Sequence, residues 1–399
     1  MPPSSSTTQS SPDHSHDEPA PIRVGLIGSG FMGRSHAIAM RTAQAVFGLE
    51  RPLVPTVLAD VDAATAKHAG AALAIDRTTG DWRSLVDDAE IDLIDITTPN
   101  TLHEPMAMAA IGAGKPVYCE KPLAPDAATA CRMALAAEAA GVPTFVGFNY
   151  LKNPLVQTAR AMVESGEIGE VWGFRGIHAE DYMTDPAAPW TWRLDPRGGA
   201  GAVADLGNHI ISLARHVVGP ITDLSADLST KIRERTTAAG ERRPVQVDDE
   251  ARALIRFAGG ATGTLEASWL ATGRKMYLAF ELTGSKGSIL LNMERMNELR
   301  LFVRGGVAGR EGYVEIPAGP AHPDYAPFCP APGHQLGFNE IKAIEIKGIA
   351  LALAGGAAFR PDFREAAMIQ ATVDTILRSA RERRWVAVDE VLPKGFVAG

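Results

Sequence analysis

The chain has 399 residues, more than one compact core usually organises, so about two domains are expected. Hydrophobic residues at 46% and charged residues at 22% fit a water-soluble globular protein. A net charge of −8 offers no basic footprint for a phosphate backbone, which argues against a nucleic-acid partner.

Residues 1–20, MPPSSSTTQSSPDHSHDEPA, carry too few large apolar side chains to offset their ordering entropy, so a disordered tail is expected. They lack the basic start and apolar stretch of a secretory signal. His14 and His16 read as solvated side chains, and no metal site is expected. Order should begin at Ile22. The run IRVGLIG (22–28) is short, apolar and β-branched, as a buried parallel strand is. A helix over 34–47 follows. Strands at 53–60, 91–98, 116–122 and 143–150 then alternate with helices at 63–72, 102–113 and 127–140, with a short helical turn at 82–87. Such alternation predicts βαβ units and a parallel sheet.

From about residue 171 the pattern changes. Strand-like runs at 171–179, 221–230, 251–258, 263–270, 276–284 and 287–293 follow one another, with one helix at 206–218 between them. Consecutive strands predict a mostly antiparallel sheet. An amphipathic helix at 362–382 precedes a last strand at 385–388. The expected architecture is therefore an α/β fold. A doubly wound parallel Rossmann sheet (21–148) precedes an α+β domain (149–399) with a large open sheet, to which the resemblance described below assigns substrate binding and oligomerisation. The charge-free stretch 348–359 is too short to cross a bilayer, so no membrane role is expected. Cys119, Cys131 and Cys329 show no metal-ligand spacing and read as reduced thiols of a cytoplasmic protein.

Gly28-Ser29-Gly30-Phe31-Met32-Gly33 matches G-x-G-x-x-G between a strand and a helix. The first glycine permits the turn, the second lets backbone amides approach a pyrophosphate, and the third packs helix on strand. Asp60 ends the second strand, where a carboxylate receives ribose hydroxyls and repels a 2′-phosphate. NAD is thus expected rather than NADP, although the interval of 32 residues from Gly28 exceeds the usual ~20. Thr97, Thr98, Pro99 and Asn100, with His103 beyond, end a strand at the edge where such sheets bind ligands. Glu120, Lys121 and Pro122 end the next strand at that edge. A lysine beside a cationic nicotinamide and away from water should titrate low, which suits proton transfer. After the glycine-rich run at 198–201, Asp205, His209, Ser212 and His216 fall within about 60° on one helix face. An acid and an imidazole there can orient a hydroxyl and take its proton. His216, near the helix C-terminus where the dipole favours its cation, reads as structural.

Taken together, GSGFMG, TTPN at 97–100, EKP at 120–122, GFNY at 147–150, WR at 192–193 and DLGNH at 205–209 resemble the Gfo/Idh/MocA oxidoreductases from residue 22 to 390. The stretches PAHP (320–323) and GFNEIKAIEIKGI (337–349) look most like the branch acting on levoglucosan and neighbouring sugars or inositols. The resemblance implies that Lys121 and His209 handle the substrate proton, that Asp205 positions substrate and His209, and that the Lys121–Pro122 peptide is cis. It also places Asn149 at the cofactor, and Tyr150, Trp192, Arg193 and Asn208 at the sugar. Tyr182 reads as a surface loop residue before a pocket one. Many members carry an acid three residues beyond the histidine; here Ser212 stands there, which puts the substrate preference in doubt. The implied reaction is NAD-dependent oxidation of a CH–OH group of a sugar, anhydrosugar or cyclitol by a dimer or tetramer. An NAD-dependent glycosidase and a sugar- and NAD-sensing regulator are the alternatives.

Overall fold

The computed structural model describes residues 19–199 and 201–396. The expected tail, apart from its last two residues, lies outside the described residues, as do His14 and His16. Strands and helices alternate first: β1 (Ile22–Ile27), α1 (Phe31–Phe47), β2 (Leu53–Ala59), α2 (Ala63–Leu73), β3 (Arg77–Thr79), α3 (Arg83–Asp87), β4 (Leu93–Ile96), α4 (His103–Gly112), β5 (Val117–Glu120), α5 (Ala127–Ala140) and β6 (Thr144–Gly147). The strands pair in parallel in the order β3-β2-β1-β4-β5-β6, a Rossmann sheet. Strand β3 has only three residues and no buried position, so it carried no hydrophobic periodicity to read. The glycine turn needs its glycines: Gly28 has φ +99°, and a Cβ on Gly33 would stand 2.1 Å from the Gly28 carbonyl oxygen.

The rest of the chain builds α6 (Pro154–Glu164), β7 (Val171–Ala179), α7 (Asn208–Val217), β8 (Ile221–Ser229), β9 (Glu234–Thr236), β10 (Arg242–Pro244), β11 (Glu250–Phe257), β12 (Thr262–Ser268), β13 (Tyr277–Gly284), β14 (Gly287–Asn292), β15 (Glu298–Val303), β16 (Val314–Pro317), α8 (Phe338–Leu353), α9 (Phe363–Glu382) and β17 (Val386–Ala387). Nine of these strands form one sheet, β16-β15-β14-β13-β7-β12-β11-β8-β17. Its pairs are antiparallel except β7 with β12. Phe174, Ile255, Leu265 and Phe280 point from it into one core with Ile210, Leu213 and Val217 of α7 and Ile369, Val373 and Ile376 of α9. The other face is wet. Along β11, Arg252, Leu254 and Arg256 are exposed while Ala251, Ala253, Ile255 and Phe257 are buried.

Two helices escaped the sequence reading. Helix α6 has an N-terminal signal: Asn153 accepts from the Leu155 amide at 2.8 Å, and Pro154 takes the first helical position. Helix α8 is mostly buried, so its periodicity is faint. Its Ala343, Ile346, Ile349 and Ala350 pack with Val24 of β1, Leu93 of β4 and Met40 of α1. A C-terminal helix thereby completes one layer of the N-terminal sheet, while α4 and α5 cover the opposite layer. Ile346 is fully buried there. Replacing Ile346 with Ala should cost about 2–5 kcal/mol. Equilibrium unfolding in urea checks this, and a loss below about 1 kcal/mol would mean that α8 is only loosely attached.

Candidate functional site

The loops after β1, β4, β5 and β6 all leave the same carboxyl edge of the parallel sheet. They meet the end of β7 and the segment 191–209 around a cavity of about 820 Å³. Gly30, Phe31, Met32, Thr98, Pro99, Asn100, Glu120, Lys121, Asn149, Tyr150, Trp192, Arg193, Asp205 and His209 all line it. Stretches far apart in sequence therefore converge on one space. Asp60 is not among the lining residues; its carboxylate is held at the glycine turn, where it accepts from the Ser29 amide at 2.8 Å and from the Ser29 hydroxyl.

Lys121 Nζ donates to Asp205 Oδ1 at 3.0 Å and to the Asp205 carbonyl at 3.1 Å. The other Asp205 oxygen accepts from Tyr182 Oη at 2.9 Å and Arg193 Nε at 3.3 Å. Enclosure would raise the Asp205 carboxyl, but Lys121 and Arg193 outweigh it and hold the group well below the usual carboxylate range. The Lys121–Pro122 peptide is cis, as the resemblance implies. Asp205 lies in a π-helical turn, Val203–Gly207, that runs into α7; such wide turns recur at functional sites. His209, one turn on, is 7% exposed, and among the described residues its Nδ1 has no hydrogen-bond partner. Burial first, then Lys121 and His178, push its pKa well below the ordinary histidine value, so the imidazole is neutral. Its ring lies 4.8 Å from that of Tyr150 and 5.5 Å from that of His178.

Several expectations need correction. Among the described residues Asp205 is bonded to Lys121, Tyr182 and Arg193, not to His209, because its carboxylate turns toward the two cations and the phenol. Tyr182 is a pocket residue after all, drawn in by its bond to Asp205. Asn208 is 1% exposed and donates to the Ala204 carbonyl inside the π-turn, away from the cavity. His103 is likewise buried; its ring nitrogens sit 2.8 Å from the Thr98 and 3.0 Å from the Pro122 carbonyl oxygen, bracing two site loops from behind. The Ser212 hydroxyl donates to the His209 carbonyl at 2.7 Å, and its side chain borders a different cavity, beside Arg215 and His216. For His216, burial and the nearby Arg160 and Lys152 lower the pKa to about 3, overriding the dipole that would favour its cation.

Sequence reasoning missed His178 and Glu180, which line the cavity; His178 lies 2.9 Å from the Leu206 carbonyl and 3.1 Å from Glu180. Their spacing of two on a strand was the available signal, since it puts both on one face. The cavity wall is braced by two further buried groups. Arg235 donates to the carbonyls of Asp185 at 2.7 Å and Ala188 at 3.2 Å, and Asp248 accepts from the Val203 amide at 2.8 Å.

Behind Lys121 lies a buried charge cluster. Glu120 accepts from His36 Nε2 at 2.9 Å and Lys342 Nζ at 3.0 Å, and its second oxygen accepts from the Lys121 amide at 3.1 Å. His36 also donates to Asp95 at 2.9 Å, and Lys342 to Glu345 at 2.7 Å. Burial disfavours the His36 cation, but Asp95, aided by the bond to Glu120, raises its pKa to about 9. Among the described residues no helix is long and apolar enough to cross a membrane, and no three His, Cys, Asp or Glu side chains group to hold a metal ion.

Comparison with known proteins bears on family and fold. The model for an oxidoreductase family with an NAD-binding Rossmann fold matches residues 22–148, and that for the GFO/IDH/MocA C-terminal domain matches 156–290. The chain is 38% identical over 386 residues to levoglucosan dehydrogenase of Pseudarthrobacter phenanthrenivorans, covering 93% of this chain and 99% of the relative. It is 30% identical to an inositol 2-dehydrogenase of Acidothermus cellulolyticus, over 69% of this chain and 74% of that one. A solved levoglucosan dehydrogenase in complex with NADH and L-sorbose superposes with a TM-score of 0.90 at 38% identity, over 92% of this chain and 99% of that one.

The raised pKa of His36 makes a prediction. Its folded value lies above the unfolded one of about 6.5, so the stabilisation is complete below that pH and is lost as pH rises through about 9. Melting temperature should therefore fall by roughly a few degrees between pH 7 and 9.5, and His36→Gln should flatten that slope. Parallel slopes for the two proteins would show that His36 is not the titrating group.

Proposed function

Because the chain belongs to the Gfo/Idh/MocA oxidoreductases and carries their NAD-binding Rossmann fold, we propose that it is an NAD-dependent dehydrogenase oxidising one secondary hydroxyl of a sugar, anhydrosugar or cyclitol. The observation carrying this reading is that Lys121, Asp205 and His209 share one cavity with the glycine turn. The names of the relatives favour levoglucosan-like substrates first and inositols second.

The residues present fit the dinucleotide. A Cβ at Gly30 would have nothing within 4 Å, so the turn leaves room for a pyrophosphate to approach the backbone. The amides of Ser29–Gly33 at the start of α1 suit its charge. Asp60 would receive the ribose hydroxyls and repel a 2′-phosphate, which favours NAD. Thr98, Pro99 and Asn100 would border its far half, beside Asn149, whose buried Nδ2 has no partner among the described residues. Bound nicotinamide supplies a hydride acceptor at its C4.

The chain's own groups do the rest. Lys121, held by Asp205, donates to the hydroxyl oxygen and stabilises the developing alkoxide. His209, a neutral base, takes the hydroxyl proton through a ring nitrogen. Tyr182 and Arg193 keep Asp205 ionised and turned toward Lys121. Trp192 offers a ring face for a pyranose, and the Arg193 guanidinium lies over that ring, 4.5 Å from its centroid. The outer face of the nine-stranded sheet carries a groove of about 1030 Å³, lined by Leu254 and Leu290 between Arg175, Arg252, Glu266 and Glu281. Apolar and oppositely charged groups side by side suit contact with a second copy, so we read the protein as a dimer or tetramer. Its three free thiols suit the cytoplasm.

Levoglucosan, myo- and scyllo-inositol, glucose and glucosides, each with NAD and NADP, form the decisive panel. Net appearance of reduced nicotinamide with NAD is expected. Aglycone release from a glucoside without net reduction would instead identify a glycosidase working by transient oxidation, and binding without turnover a sensor. Lys121→Ala should lower kcat about 10²–10⁴-fold and leave the Kd for NAD little changed. Equal losses in both would assign the lysine to cofactor binding.

A further inference from the structure

The cluster behind Lys121 places several charges in the interior. His36, Asp95, Tyr118, Lys342 and Glu345 are all fully buried, and Glu120 is 5% exposed. Taking so many charges out of water is costly, and well-packed apolar side chains would fill the same space without that cost. The cluster also joins elements far apart in sequence: α1, β4, β5 and α8. Among the described residues it reaches the cavity through Glu120, which lines that space and accepts from the Lys121 amide. A Cβ on Gly147 would come within 2.4 Å of Glu120 Oε1, so the carboxylate is clamped from the side of β6 as well.

We infer that Lys342 of α8 is a positioning residue for the reaction: it pins Glu120 beneath Lys121 and sets the net charge of the wall against which the nicotinamide end of the cofactor would lie. This rests on the function proposed above. Three carboxylates, Asp95, Glu120 and Glu345, face two cations, His36 and Lys342, and leave a formal excess of one negative charge. Each negative charge added to this cluster favours the cationic, oxidised cofactor over the neutral, reduced one, on top of the fixed charges that Lys121, Asp205 and Arg193 present in the cavity. Lys342 limits the bias and Glu345 strengthens it. Their bond to each other, 2.7 Å within one turn of α8, makes the helix a setting for that charge. Field from a fixed buried charge is weakly screened, so the effect reaches past the residues in direct contact.

The test is the ratio of Kd values for NAD and NADH, measured on the full chain by quenching and displacement of NADH fluorescence. Lys342→Met removes a positive charge and should shift the ratio toward NAD by about threefold or more. Glu345→Gln removes a negative charge and should shift it the opposite way. The double variant K342M/E345Q restores the formal charge and should return the ratio close to wild type. A purely structural role predicts something else: both single variants weaken NAD and NADH alike, with no reversal of sign. That result, or an unchanged ratio, overturns the inference. Should K342M fail to fold, E345Q alone decides by the direction of its shift. Because binding is read without turnover, failure of every sugar in the panel would remove the proposed substrate class and leave this test intact.

Discussion

The ion pair between Lys121 and Asp205 is the constraint on which the site turns. One partner ends a strand of the parallel sheet; the other sits in a widened turn at the start of α7, 84 residues later. Two cationic side chains and a phenol surround Asp205, so its negative charge is secured in a partly enclosed place where it would otherwise be costly. The aspartate is thereby an anchor for cations rather than a partner for the imidazole, and His209 is left neutral, its Nδ1 without a partner among the described residues. Separating the charge-holding group from the proton-accepting group gives two side chains two environments within one cavity.

A second constraint acts from below. Glu120 is satisfied by His36 and Lys342 on one oxygen and by the Lys121 amide on the other, so the backbone carrying the lysine is fixed before any ligand arrives. His103, wedged between the Thr98 and Pro122 carbonyls, does the same for the neighbouring loop. Preorganisation of this kind comes from side chains that never meet a substrate.

Much of this was legible in the sequence. Alternating strands and helices gave the parallel sheet, the glycine turn gave its ligand edge, and the motif residues at 97–100, 120–122 and 205–209 do meet there. What stayed hidden was direction. A motif names positions, and whether Asn208 or His103 faces the cavity depends on neighbours supplied by other elements. Tyr182 shows the reverse: in a polar loop it reads as surface, and only the distant Asp205 turns it inward. Helix α8 was hidden for another reason, since a helix buried on most sides shows little amphipathic contrast. With it went Lys342 and Glu345, whose roles exist only through contacts with β5.

That helix has a consequence for how the protein comes into being. The strands of the nucleotide-binding sheet leave the ribosome early, with Val24, Leu93 and Phe145 on a face that α1 covers only in part. The missing cover arrives some two hundred residues later, bringing with it the amine that neutralises Glu120. Until then the nascent half has an uncovered apolar patch and an acid that lacks one of the two cations it meets in the finished fold. Its maturation is thus tied to completion of the chain, and a half-made polypeptide has no finished cofactor site to expose.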